Sequence, residues 1–207
     1  MKLFAAVLLS FVGALQAAPI DELTLAAAND NVRAMTTLLV RGVDPNGRDA
    51  QGHSALEAAL RESSARALDA LLGLPALDVN SVNAAGETPL MLAGLGGQLD
   101  AVKKLAARGA LINRPGWSPL HYACSGPDEG VIAWLLAHGA AVDARSPNGS
   151  TPLMMAARYG AMDGPGLLLS SGANVNLRNE QGLQAVDFAR AAGRDVWVQK
   201  LTVLTAK

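Results

Sequence analysis

The sequence predicts an all-α solenoid of about six helix-turn-helix units joined by β-hairpin loops. Three observations predict it: a short frame of residues that recurs along the chain, a spacing between copies near 33 residues, and proline and glycine at matching places in several copies. The frame is clearest in "ETPLMLAG" at Glu87 to Gly94, "WSPLHYAC" at Trp117 to Cys124 and "STPLMMAA" at Ser150 to Ala157. Looser copies are "DELTLAAA" at Asp21 to Ala28, "HSALEAAL" at His53 to Leu60 and "LQAVDFAR" at Leu183 to Arg190. With the threonine place as origin, the copies fall at Asp21, Ser54, Thr88, Ser118, Thr151 and Gln184, with spacings of 33, 34, 30, 33 and 33. A period in this range marks a repeat array, in which each unit buries its apolar face only by stacking on its neighbours.

The 207 residues are half hydrophobic and carry a formal net charge of −1, with no basic block to attract nucleic acid or anionic lipid. The chain opens "MKLFAAVLLSFVGALQAAP": one lysine, an uncharged run from Leu3 to Leu15, then small residues. This is the pattern of a secretory signal peptide. A membrane anchor needs about 20 apolar residues, and Gln16 and Pro19 arrive too early for one. The expected division is therefore a signal peptide over residues 1–17 and a repeat domain over residues 18–207. Cys124 is the single cysteine, so no internal disulfide forms and stability must come from packing.

Taken in order, the first copy has no preceding hairpin and serves as a cap of the array. The second continues into "LLGLPALDVN", which has one extra residue and lacks the glycine of its sister segments, hence the spacing of 34. In the third, fourth and fifth copies Thr88, Ser118 and Thr151 are placed to cap a helix, and Pro89, Pro119 and Pro152 fill the first helical position, where a missing N–H costs nothing. Leu90, Leu120 and Leu153 face inward, and Ala93, Ala123 and Ala156 permit close approach of the next helix. Gly97 and Gly160 are expected to end first helices in the left-handed conformation, and Gly42, Gly109, Gly139 and Gly172 to end second helices in the same way. The fifth copy's second helix begins "MDGPGLLL", with two glycines and a proline in its first turn, and should be short or loose. The sixth copy ends near Leu204, and its Val196, Trp197 and Val198 cannot all face one way on a helix, so either the last helix is irregular or part of it meets another molecule.

The combined pattern, T-P-L-H-x-A-A followed by L-L-x-x-G-A-x-x-N, resembles the ankyrin repeat from Asp21 to about Leu204. The resemblance implies a partner surface on the concave side, made of hairpin tips and the exposed ends of first helices. Position by position this surface would hold His53, Arg61 and Glu62, then Glu87 and Leu95, then Trp117 and Ser125, then Asn148, Ser150, Arg158, Tyr159, Glu180 and Gln181. Between Asn113 and Ser118 the hairpin has lost three residues, leaving "RPGW", a notch with Trp117 beside it. Trp117, Arg158 and Tyr159 are residue types that dominate interface energetics and form a candidate anchor cluster; alternatively Trp117 folds over the gap as packing.

"WSPLHYAC" invites a catalytic reading through Ser118, His121 and Cys124, but the same frame recurs elsewhere without the histidine or the cysteine. A nucleophile also needs an oriented base and an oxyanion site, which this frame does not offer. Ser118 is read as a cap, His121 as a ring bonding back towards it, and Cys124 as a buried thiol at a small-residue place. His53, His121 and His138 fall in three different contexts, so no metal is expected, and no cofactor is implied. Trp134 and Trp197 belong to second helices at apolar places, and "NGS" at Asn148 is read as a hairpin turn rather than a glycosylation acceptor. The expected function is a non-catalytic protein–protein interaction module. Its short leader and Arg-rich, Lys-poor, Ala-rich composition suggest export to a bacterial periplasm. Partners are expected to be protein, with no nucleic acid, no membrane after leader removal and no small-molecule substrate. An alternative is an immunity protein against a toxin or a stabiliser of another exported enzyme. Intact-mass analysis of the exported chain is expected to show a start at Ala18; a soluble exported form retaining Met1 would refute the leader.

Overall fold

In each copy the helix start is set by local chemistry before any packing is considered. Thr88 and Thr151 accept the backbone N–H of Met91 and Met154 at 3.3 and 3.4 Å, and Ser54 accepts that of Glu57 at 3.2 Å. The residue three positions into the helix reaches back to the cap's own N–H: Met91 and Met154 through sulfur, Asp187 through a carboxylate oxygen at 2.9 Å. This is capping-box geometry with a thioether in place of the usual carboxylate in two copies.

The structure, a computed structural model, describes residues 18–206; the leader expected over residues 1–17 lies outside the described residues. Among these, the elements run α1 (Pro19–Ala28), α2 (Val32–Val40), α3 (Ala55–Arg61), α4 (Ala65–Leu72), α5 (Pro89–Leu95), α6 (Leu99–Ala107), α7 (Pro119–Ala123), α8 (Glu129–Ala137), α9 (Pro152–Arg158), α10 (Gly164–Ser170), α11 (Ala185–Ala191) and α12 (Asp195–Thr205). The odd-numbered helices stack in one layer and the even-numbered ones from α2 to α10 in a second, with α12 packed chiefly on α11. α1 starts at Pro19, two residues ahead of the origin at Asp21, because Pro19 supplies the first helical residue and Asp21 bonds back to the N–H of Ala18 at 3.2 Å.

The core follows the repeat. Leu23, Leu56, Leu90, Leu120 and Leu153 occupy one place and are fully buried, and Ala93, Ala123, Ala156 and Ala189 lie three residues further on where neighbouring helices meet. Burying one leucine contributes roughly 1.5–3 kcal/mol. A polar ladder adds direction between copies. Asn46, Asn80 and Asn113 each donate to a carbonyl of the next copy, of Ala76, Gly109 and Gly139, at 2.7–3.0 Å. Each also accepts an N–H from it, of Asp78, Leu111 and Ala141, at 2.8–2.9 Å. Asp143 takes the same place in the fourth copy and accepts from Asn174.

Three expectations meet the structure differently. Gly42, Gly109, Gly139 and Gly172 are left-handed as expected, and so is Gly97, but Gly160 is not. Asp30, Ser63 and Gly193 hold the left-handed turn in their own copies. Gly160 is a glycine for a different reason: a Cβ there would be driven into the backbone carbonyl of Cys124 in the preceding copy. α10 is short, seven residues against nine in α2, α6 and α8. In α12 the helix is regular: Trp197 turns inward and is almost fully buried, its indole N–H donating to the Met162 carbonyl at 2.7 Å, while Val196 faces outward.

These two roles of glycine predict opposite outcomes. Gly160→Ala is expected to lower stability by about 1–3 kcal/mol through backbone overlap. Gly166→Ala, whose Cβ would make an ordinary 3.4 Å contact with the Trp197 ring, is expected to raise it by up to about 1 kcal/mol through helix propensity. Chemical denaturation of both variants checks the pair.

Candidate protein-binding surface

The inner face of the array is built from hairpins and first helices, and the hairpins are made by a repeated turn. Asp49, Asn83, Ser146 and Asn179 each donate an N–H across the loop to the carbonyl of His53, Glu87, Ser150 and Leu183, at 2.9–3.0 Å. A tip glycine with positive φ (Gly52, Gly86, Gly149, Gly182) closes each, a tight turn followed by a left-handed residue. Only an isolated bridge, Arg48 to Ser54, is regular enough to count as β structure among the described residues. The "NGS" segment is such a turn, with Gly149 at φ 73°.

Arginines that the sequence reading passed over tie these tips together. Arg48 donates to the Gly52 carbonyl at 2.8 Å and to the Val82 carbonyl of the next hairpin at 2.6 Å. Arg145 makes the same two bonds, to Gly149 and Arg178, and Arg178 bonds the Gly182 tip. The signal was present, since all three lie six residues before a cap position. Arg48 also pairs at 2.8 Å with Glu57, whose side chain is fully buried on α3.

The shortened junction between Asn113 and Ser118 has no cross-loop bond. Arg114 instead reaches back to the Gly86 carbonyl at 2.6 Å, and Pro147 of the following hairpin leans over Gly116. Trp117 is half-buried in this notch. Its ring meets His121 edge-on at 5.3 Å and Tyr122 at 6.5 Å, leaving part of the indole towards solvent. Arg158 and Tyr159, on α9 and its end, contact each other, with the guanidinium 5.1 Å from the ring centre, and line a cavity of about 570 Å³ with Met162, Arg194 and Trp197. That cavity lies at the turn between first and second helices, the opposite edge from the hairpins, and Trp117 is not part of it.

The other expected residues fall into three groups. His53, Arg61 and Glu62 line one groove of about 340 Å³ with Leu25 of the first copy. Asn148 and Glu180 meet at neighbouring tips, where the Glu180 N–H donates to the Asn148 carbonyl at 3.0 Å. Glu87 is consumed internally: its carboxylate accepts from Asn83 at 2.7 Å, Arg61 at 3.1 Å and Tyr122 at 3.3 Å, linking the second, third and fourth copies. Burial and the Glu87 charge together raise the Tyr122 hydroxyl above the usual tyrosine value. Leu95 and Gln181 are exposed and Ser125 is half-buried, but Ser150 is buried and does not belong to the surface. The reason is that its carbonyl is turned inward to the His121 ring.

The triad of the opening motif has a structural role. The Ser118 hydroxyl lies 2.8 Å from His121 Nδ1, which also accepts the Ser118 N–H at 3.2 Å, and His121 Nε2 sits 3.0 Å from the Ser150 carbonyl. A carbonyl only accepts, so Nε2 carries the hydrogen and Nδ1 receives the Ser118 hydroxyl proton. The Ser118 hydroxyl thus pairs with the ring rather than with a helix N–H. Both side chains are buried, and burial pushes the Cys124 thiol far up, so it stays protonated. No group of three or more His, Cys, Asp or Glu side chains among the described residues is placed to hold a metal, and no described helix is long and apolar enough to cross a membrane.

Comparison with known proteins agrees with this geometry. A family model described as ankyrin repeats (3 copies) matches residues 23–115 and 111–179. The chain is similar to Neurogenic locus notch homolog protein 1 of Xenopus tropicalis, 32% identical over 180 residues, covering 84% of this chain and 7% of that protein. It is 33% identical over 111 residues to Ankyrin repeat domain-containing protein 37 of Bos taurus, covering 52% of this chain and 70% of the relative. It is 31% identical over 172 residues to the B-cell lymphoma 3 protein homolog of Mus musculus, covering 80% of this chain and 38% of that protein. The chain spans only a small part of the Notch homologues it matches.

His121 makes stability pH-dependent. Burial holds its pKa below the ordinary histidine value of 6.5, so the folded protein binds fewer protons there than the unfolded chain does. Its contribution is complete above about pH 6.5 and declines as pH falls from there towards the lowered folded value. Melting curves from pH 7 to 5 are expected to shift downward. In His121→Asn the slope in this window is expected to flatten while overall stability falls.

Proposed function

The chain belongs to the ankyrin repeat family, and on that premise we propose that it binds one protein partner along its inner face, without catalysis, after export to the periplasm. A protein–protein interaction module is what the family assignment supports. The leader-like first residues support export. The observation that carries the choice of face is the break in the hairpin row. Everywhere else the tips are closed by a cross-loop bond; at the notch that bond is missing and Trp117 presents part of its ring over His121 and Tyr122.

A tryptophan held rigidly at the centre of a surface is the residue type that most often anchors an interface. The groove of His53, Arg61 and Glu62 lies on one side of it and the Asn148–Glu180 tips on the other, so the partner contacts are spread over several copies. Six helix pairs at about 8–10 Å each make a surface on the order of 50 Å long, which suits a protein better than a metabolite.

Affinity purification of the exported chain from periplasmic extract is expected to retain one protein. Trp117→Ala is expected to weaken that complex by about 2 kcal/mol or more, roughly thirty-fold or greater, measured on the folded fraction. Unchanged affinity of the folded variant would overturn Trp117 as the anchor, whatever happens to the melting curve.

A further inference from the structure

Two cavities beside α12 meet at one side chain. The first, about 570 Å³, opens at the helix–helix turn edge beside Tyr159, Met162 and Val196; the second, about 520 Å³, runs beside Leu169, Val203 and Leu204. Trp197 lines both. Together they form a trough along α12, on the outer layer and turn edge rather than on the hairpin side. Its cause is legible in "MDGPGLLL". Each earlier outer helix packs closely on the next, but α10 begins late and shows Gly166 to the Trp197 ring, so it leaves α12 without comparable contact.

Two features say what fits there. First, the trough exposes large apolar groups: Met162 is 74% exposed, Val196 61% and Val203 60%. Val196 and Val203 are seven residues apart, so they share one face of α12 with Lys200 between them. Second, the charges flanking this stripe are cations held in place. Arg158 lies over Tyr159 at 5.1 Å and Lys200 over Trp197 at 4.5 Å, and neither has a carboxylate partner among the described residues. Asp195, the one carboxylate of the trough, stands at its mouth at the start of α12.

We propose that this trough is a second docking site, taking an amphipathic helix of another protein whose apolar stripe is flanked by carboxylates. α12 is 11 residues long, about 16 Å, which matches three turns of a helix laid beside it with anchors three, four and seven residues apart. Carboxylates on that helix meet Arg158 at one end and Lys200 near the middle, which fixes its position along the trough.

The test uses the leaderless chain and fluorescein-labelled helical peptides of about 14 residues with leucines in a 3–4 pattern. One peptide carries glutamates beside the leucines, one lysines in their place, and one the acidic composition with the leucines scattered. Fluorescence anisotropy is expected to show the acidic amphipathic peptide binding at least roughly ten-fold more tightly than the other two. Val203→Asp, a change at an exposed position, is expected to abolish this binding with the melting temperature unchanged. Lys200→Glu is expected to reverse the preference towards the lysine peptide, and Trp117→Ala on the inner face is expected to leave it intact. Equal binding of all three peptides, or binding insensitive to Val203→Asp, overturns the proposal. So does cosedimentation with phosphatidylglycerol vesicles, or a concentration-dependent dimer, that Val203→Asp abolishes; these outcomes assign the trough to a lipid surface or to a second copy. Loss of the inner-face partner in Trp117→Ala has no bearing on any of these readouts, so the two sites stand or fall separately.

Discussion

A helix pair of some 33 residues cannot bury its apolar stripe alone, and everything else in this structure answers that constraint. With a single cysteine and no disulfide, stability comes from stacking copies until the leucine at each inner position is enclosed by its neighbours. Stacking demands that every pair present its face at the same angle, and from α3 to α11 every first helix begins at the same place of the repeat. The cap chemistry achieves this one copy at a time. In the third and fifth copies a hydroxyl takes an N–H inside the helix and the third helical side chain returns to the cap, so the phase of the helix is set locally and the leucines align without long-range instruction. Proline at the first helical position narrows the choice further.

Stacking by apolar contact alone is not directional, and a second set of interactions supplies the register. Asn46, Asn80 and Asn113 each bond both an N–H and a carbonyl of the next copy, and Arg48 and Arg145 each donate to the carbonyl of their own tip and to one of the next hairpin. Such bonds contribute about 1 kcal/mol each, less than the leucines, but their geometry is strict and they penalise a copy that rotates or slides. His121 belongs to this set. It is the place where the fourth copy grips the fifth, through a neutral ring that accepts from Ser118 and donates to Ser150. What looks like a catalytic trio is a joint between repeats, made at the point where the shortened hairpin has removed the usual tip.

The fold was readable because it is periodic: six copies reinforce one another, so helix starts, prolines and buried leucines could be assigned from spacing, and the short α10 from the glycines and proline that open it. The surface was less readable because side-chain partners are not periodic. Glu87 was expected at the binding face, but its carboxylate is taken by Asn83, Arg61 and Tyr122, drawn from three copies and therefore invisible to any comparison of one position with its equivalents. Ser150 was expected exposed and is buried, because a histidine 29 residues earlier claims its carbonyl. Gly160 was assigned to the left-handed role that its neighbours in the alignment perform; the actual requirement is room for the Cys124 carbonyl, a contact between copies. The arginines at the hairpins were legible and overlooked, since their shared offset from the cap is plain once the tips are drawn together.

The same two glycines that make α10 a poor helix also decide how α12 is seated. An outer helix of ordinary composition would carry side chains across to α12 and close the groove between them, as the earlier outer helices do. Gly166 instead offers a flat surface that accepts the indole of Trp197, so the largest side chain of the last copy serves as the seal between α10 and α12. A seal of one ring is narrower than a helix–helix contact, and apolar lining stays open on both sides of it. Losing helix propensity at Gly166 costs about 1 kcal/mol, although a Cβ there would make only an ordinary contact with the Trp197 ring. That open lining runs on into exposed Met162, Val196 and Val203, so this face of α12 is apolar and uncovered among the described residues.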